Sequence, residues 1–143
     1  MMKTNVAKHF ASWKFLVMLM FVASISLGGC FGSAEADNPK HVNVMEFQKL
    51  INEVPGAVVV DVRTPQEFGA GHLQGAILLP VQVLDTKATQ VLQDKNAPYF
   101  VYCRSGNRSE VAVNMLKKMG YTNVTNMLGG IIDWSNKGLP LTR

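Results

Sequence analysis

The chain has few of the residues that staple or metallate a small fold. It holds two cysteines, Cys30 and Cys103, in 143 residues. Two thiols cannot build the disulfide framework of a small secreted scaffold, and they exclude a metal site assembled from cysteine pairs. Apolar runs of full membrane-spanning length are also missing. The most apolar segment, residues 15–27 (FLVMLMFVASISL), falls short of the roughly 20 residues needed to cross a bilayer core. Acidic residues are absent from positions 1–29. No basic run and no interleaving of basic with aromatic residues occurs, so nothing asks for nucleic acid. There is no internal repeat and no low-complexity segment.

What stands at the start of the chain is a three-part plan. Lys3, Lys8 and Lys14 precede the short apolar core, and the small residues Gly28-Gly29 lead into Cys30. Such a plan predicts an export signal over residues 1–29. A permanent anchor is the alternative, disfavoured by the short core and by the turn-prone SAEADNPK segment that follows. Residues 30–40 read as a tether and 41–143 as a single domain. Residues 1–29 carry three of the fourteen basic residues and none of the ten acids. Without them the balance is eleven against ten, so the net charge of +4 falls to +1.

Along the domain, strand and helix signals alternate. His41 to Val44 predicts a short strand, and Val44, Phe47, Leu50 and Ile51 recur at helical spacing with Asn43 as N-cap. After the Pro55-Gly56 turn, Ala57 to Val60 is a β-branched run ending on Asp61. Thr64-Pro65-Gln66-Glu67 is a capping box with proline at the first helical position. Gly75 to Pro80 predicts a third strand, and residues 83–92 helical material interrupted near Asp85-Thr86. Tyr99 to Tyr102 and Asn123 to Met127 predict two more strands, and Gly129-Gly130 opens a last short helix. The alternation predicts an α/β fold with a mostly parallel central sheet flanked by helices on both faces. Ligands of such sheets sit beyond the carboxyl ends of the strands, where Asp61 and Cys103 both fall.

The densest chemistry lies in Tyr99 to Met119. An apolar strand hands Cys103 to the loop Arg104-Ser105-Gly106-Asn107-Arg108-Ser109. A helix follows, with Val111, Met115, Leu116 and Met119 at helical spacing and Gly120 placed to stop it. Inward N–H groups, a helix N-terminus and two arginines make an anion site, with Gly106 free to take a positive φ and Ser109 able to cap the helix. A thiol there is expected to be partly thiolate near neutral pH. A lone cysteine at a strand end is commonly just a small core residue, and an arginine-rich loop is commonly just solvated. The combination at this place favours a nucleophile. Around it, Arg63 and Glu67 are spaced to pair across a turn, and Asp61 can accept N–H bonds from nearby loops. His72 is better read as fixing a turn than as a general base, and Trp134 as core.

On these residues the domain resembles a single-domain rhodanese, the sulfurtransferase fold. The resemblance rests on Asp61-Val62-Arg63 with Glu67-Phe68, on Gly71-His72-Leu73 with Gly75-Ala76 and Pro80, on Cys103 through Ser109, and on Gly129-Gly130 with Trp134. It implies that Cys103 attacks the outer sulfur of thiosulfate or a related sulfane donor, expels sulfite, and is left as a persulfide. The sulfur then passes to a thiol, cyanide or protein acceptor. N–H groups of Arg104 to Ser109 would cradle it, with Arg104 and Arg108 orienting the anion and Asp61, Arg63 and Glu67 supporting the loop. No cofactor or metal is expected. Cysteine-dependent phosphatases, with arsenate reductases beside them, are the rival. Their loops hold one residue more between cysteine and arginine than the four found here, and the tighter ring favours sulfur. A lipid-anchored persulfide carrier or sensing module with little multiple turnover is the other alternative.

Leu27-Gly28-Gly29-Cys30 in turn resembles the lipobox of bacterial lipoproteins. This implies lipidation of Cys30, cleavage just before it, and a domain held outside the cytoplasm at the cell membrane or outer membrane. Phe31, where an enteric inner-membrane retention signal would place Asp, favours the outer one. An ordinary signal with an incidental cysteine is the alternative. If Cys30 is lipidated, Cys103 is left as the single free thiol, and its sulfur must leave to an external acceptor.

Overall fold

The structure is a computed structural model that describes residues 39–143. The expected export signal, Cys30 and nearly all of the expected tether lie outside the described residues. Five parallel strands form one sheet, in the order β1-β5-β4-β2-β3: β1 Lys40–Val42, β2 Val58–Asp61, β3 Ile77–Leu78, β4 Tyr99–Tyr102 and β5 Val124–Met127. The helices are α1 Val44–Glu53, α2 Pro65–Ala70, α3 Leu84–Val91, α4 Asn107–Lys118 and α5 Gly130–Asn136. The α/β architecture expected from the alternation of signals is therefore the one observed.

Two apolar layers sandwich the sheet. On one face Val60, Val101 and Val124 meet Leu84, Ala88 and Leu92 around α3, and Ala112, Val113 and Leu116 of α4. On the other, Val42, Val59, Phe100 and Met127 meet Phe47 of α1 and Ile131 and Trp134 of α5. Phe47 and Phe100 stack edge to face with centroids 5.6 Å apart. All four residues of β4 are buried, as an apolar run without alternation requires in a sheet covered on both sides.

Helix starts follow their caps. Asn43 Oδ1 accepts from the Glu46 N–H, and Thr64 forms the full capping box with Glu67. Helix α4 ends in a Schellman turn: Gly120, at φ +90, donates to Lys117 O and Tyr121 N–H to Leu116 O.

The structure also corrects several sequence expectations. Strand β1 begins at Lys40, inside the expected tether, and ends at Val42 because Asn43 is taken as a cap. Strand β3 keeps only two residues: Pro80 has no N–H, although Leu79 and Val81 still donate to Asp61 O and Val62 O of the β2 segment. No break occurs at Asp85-Thr86. Helix α3 runs through both, and the change of geometry comes earlier, in a 3-10 turn at Val81–Val83. In α4 the buried stripe is Ser109, Ala112, Val113 and Leu116, while Val111 is exposed.

Register positions the site. Asp61 pairs with Tyr102, so β2 and β4 end level and the segments starting at Val62 and Cys103 leave the sheet side by side.

Candidate active site

Cys103 is fully buried at the end of β4, and its Sγ is the centre of the loop that follows. The Gly106 N–H donates to Sγ at 3.1 Å, and the Ser109 hydroxyl lies at 3.5 Å. Burial by itself pushes the thiol up. The Ser109 hydroxyl and the N–H groups of Ser109, Ser105 and Gly106 outweigh it, and the net direction is down, toward thiolate.

The loop can aim its donors inward because its carbonyls are tied elsewhere. The first turn of α5 donates to them: Ile131 N–H to Cys103 O at 2.9 Å and Ile132 N–H to Arg104 O at 3.1 Å. Gly130 sits against the same carbonyls, and a Cβ there would stand 2.6 Å from Cys103 O and 2.5 Å from Arg104 O. The Gly129-Gly130 pair, read from the sequence only as the start of a helix, is thus the back wall of the cysteine loop. Gly106 takes φ +102 and is itself the N-cap of α4. Ser109 consequently does not cap the helix. It stands in the first turn, where its hydroxyl lies 2.9 Å from Gly106 O and 3.5 Å from Sγ, its single proton able to turn to either acceptor.

The arginines are arranged differently from the expectation. Arg63 and Glu67 do not pair. Arg63 is buried against Asp61, with Nε 2.9 Å from both carboxylate oxygens and Nη2 2.6 Å from Oδ2, and it also donates to Gly71 O at 2.7 Å. Burial opposes its charge, but the Asp61 carboxylate prevails and its pKa is raised. Asp61 thus accepts chiefly from this guanidinium, with the Arg63 N–H at 2.9 Å. Tyr102, whose hydroxyl accepts from the Leu73 N–H at 3.1 Å, packs its ring under Arg63. Burial pushes the Tyr102 hydroxyl pKa up, so it stays neutral.

Glu67 instead grips Arg108 of the cysteine loop in a two-point pair at 2.8 and 2.7 Å. Hydrogen bonding from Arg108 lowers the Glu67 carboxyl from 4.5 to about 2. The same pair raises Arg108. Arg108 therefore fastens the loop to α2. Arg104 is exposed, and its guanidinium has no ion-pair or hydrogen-bond partner among the described residues. Asn107, exposed, is the first residue of α4. His72 fixes a turn: it stacks on Phe68 with centroids 3.7 Å apart and bonds Phe68 O through Nδ1 at 3.0 Å. Trp134 is core, its Nε1–H donating to Pro140 O at 2.9 Å.

Cys103 thus stands at a strand end under converging N–H groups, on a five-stranded parallel sheet. The family model for the rhodanese-like domain matches residues 43–137, and the chain belongs to that family. A sulfurtransferase of Allochromatium vinosum is 34% identical over 103 residues, which span 70% of this chain and 94% of the relative. The thiosulfate sulfurtransferase PspE of Escherichia coli is 39% identical over 74 residues, 52% of this chain and 70% of that protein. Among solved structures, the rhodanese-related protein of Thermoplasma volcanium superposes with a TM-score of 0.61 at 30% identity, covering 72% of this chain and 97% of the other. Family membership supports a role in sulfur transfer in general, which entails a sulfur donor and an acceptor.

Proposed function

We propose that this protein is a sulfurtransferase that takes a sulfane sulfur from thiosulfate or a similar anion onto Cys103 and passes it to an external nucleophile. The observation that carries this most directly is the environment of Sγ: N–H and hydroxyl donors converge on a sulfur at the carboxyl end of a buried strand. In the first step the Cys103 thiolate forms a bond to the outer sulfur of thiosulfate. The S–S bond of the donor breaks, and sulfite departs with the electron pair. The same donors that favour the thiolate then hold the terminal sulfur of the persulfide. In the second step a thiolate or cyanide bonds to that terminal sulfur, and the electron pair of the breaking S–S bond returns to Cys103.

Two cations are engaged internally, Arg63 by Asp61 and Arg108 by Glu67, so Arg104 is left to meet the sulfonate oxygens. The four residues between Cys103 and Arg108 favour sulfur over a phosphoryl group. The export signal and the lipobox-like Leu27 to Cys30 support a further proposal: a protein lipidated on Cys30, with this domain held at a membrane outside the cytoplasm.

The test is turnover. Thiosulfate with cyanide should yield sulfite and thiocyanate in equal amounts, and Cys103→Ser should yield neither. Hydrolysis of an aryl phosphate without sulfite release from thiosulfate would refute the assignment. One equivalent of sulfite, with no further turnover on adding cyanide or thiols, would favour the persulfide carrier instead.

A further inference from the structure

A cavity of about 430 Å³ lies on the face of the sheet that α1 and α5 cover. Its floor is Ala57 with the first residues of β2, Val58 and Val59. Val59 pairs with Phe100, three residues before Cys103, which puts it about 10 Å down the sheet from the nucleophile. Ile51, Trp134 and Pro140 form an apolar wall, and no lining residue is charged. Trp134 spends its single donor on Pro140 O, so it offers the cavity only its ring.

The main chain of β2 is incompletely paired at this place. In a parallel sheet successive residues of a central strand bond alternately to its two neighbours. The N–H groups of Val58 and Val62 donate to Pro98 O and Tyr102 O, on the β4 side. Asp61 O accepts from the Leu79 N–H, on the β3 side. Ala57 and Val59 therefore also present their carbonyls and Val59 its N–H to the β3 side. Strand β3 covers that edge only from the pairing of Ile77 with Val60 upward. Below it the chain turns through Gln74-Gly75, and the Val59 N–H and Ala57 C=O have no hydrogen-bond partner among the described residues. Val59 is only 8% exposed, and a buried N–H left unpaired is rare.

We propose that this cavity is a strand-addition site that takes an uncharged, extended peptide segment of about three residues from another protein. One residue of such a segment, running parallel to β2, accepts from the Val59 N–H and donates to Ala57 C=O. It thereby repeats, two residues lower, the pairing that Ile77 makes with Val60. The flanking peptide groups meet carboxamides, which both donate and accept. Gln48 and Gln74 have side chains without a hydrogen-bond partner among the described residues, and Asn52 uses only its NH₂, on Gln48 O. A charged side chain would lose its water here and find no counter-charge. The volume falls in the range of small-ligand sites. Because the site stands away from Cys103, it can hold a partner while leaving the cysteine loop open, and it does not depend on the sulfur transfer proposed above.

The experiment titrates the isotope-labelled full-length chain, in detergent micelles, with acetyl-Thr-Val-Thr-N-methylamide and follows the backbone and carboxamide resonances by NMR. The Val59 amide and the Gln48 and Gln74 carboxamides should shift together and saturate in the millimolar range. The same peptide N-methylated at its central valine cannot donate to Ala57 C=O and should bind about fivefold more weakly, the effect of one hydrogen bond. Gln48→Ala, which a helix tolerates, should weaken the unmodified peptide to a similar degree. Cys103→Ser should bind it unchanged, so a failure of sulfur transfer leaves this result standing. No shift at Val59, equal binding of the N-methylated peptide, or shifts centred on Gly106 and Ser109 would overturn the proposal. A dimer paired through Val59 that the peptide does not dissociate would overturn it too, by making a second copy the occupant.

Discussion

Replacing Glu67 by glutamine removes one charge while keeping most of the shape around it. Glutamine at this third helical position can still accept from the Thr64 N–H, so the capping box survives. What goes is the ionic half of the two-point pair with Arg108. The difference between 4.5 and about 2 for this carboxyl corresponds to about 3.4 kcal/mol at 1.36 kcal/mol per pH unit. The side chains of the pair are 32% and 28% exposed, so water screens part of that, and about 2 kcal/mol is the expected loss at neutral pH. The sign follows from linkage. A carboxyl depressed in the folded state stabilises fully above its unfolded value of 4.5, and that stability disappears as pH falls through about 2. Urea melts of wild type and Glu67→Gln should therefore differ by about 2 kcal/mol at pH 7 and converge between pH 4.5 and pH 2. A gap of the same size at pH 2.5, or none at pH 7, would refute the ion-pair account of how the loop is fastened.

Two other substitutions probe the loop from different sides. Ser109→Ala removes the hydroxyl that faces Sγ, and the iodoacetamide alkylation profile of Cys103 should move to higher pH. At pH 7 its rate should fall about fivefold, the effect of about 1 kcal/mol; an unmoved profile would mean that the N–H groups suffice. Gly130→Ala puts a Cβ onto the carbonyls of Cys103 and Arg104 at φ +59, and should lose about 3 kcal/mol or more in urea melts together with persulfide loading. Gly75→Ala, also at positive φ but with open space around it, should cost about 1 kcal/mol and keep loading. Equal effects of the two would show that backbone strain, not the wall against the loop, is what Gly130 provides.

Local signals were legible from the sequence because their causes are local. The caps at Asn43 and Thr64 bond donors three residues on, the Gly120 stop depends on its own φ, and the apolar runs of β2 and β4 need only a covered sheet. The Asp61–Arg63 pair was within reach too, since residues two apart on an extended chain share a face. Arg63 and Glu67 looked paired only because four-residue spacing suggests one helical surface. The helix begins after the Thr64 cap, so Arg63 lies ahead of it and off its surface. Glu67 finds its partner 41 residues away, a distance that spacing rules cannot cover. Ser109 was misplaced as a cap because glycine at φ +102 can start a helix without a side-chain cap bond. For the Gly129-Gly130 wall the doubled glycine was the one available cue.

The central claim is that Cys103 itself becomes a persulfide. Brief thiosulfate treatment near neutral pH, followed by alkylation and peptide mass mapping, tests it in one measurement. The peptide containing Cys103 should gain about 32 Da beneath the alkyl group, with one sulfite released per chain, and the gain should be reversed by a thiol acceptor. A Cys103 peptide that is alkylated without added sulfur, while sulfite is nonetheless released, would contradict it.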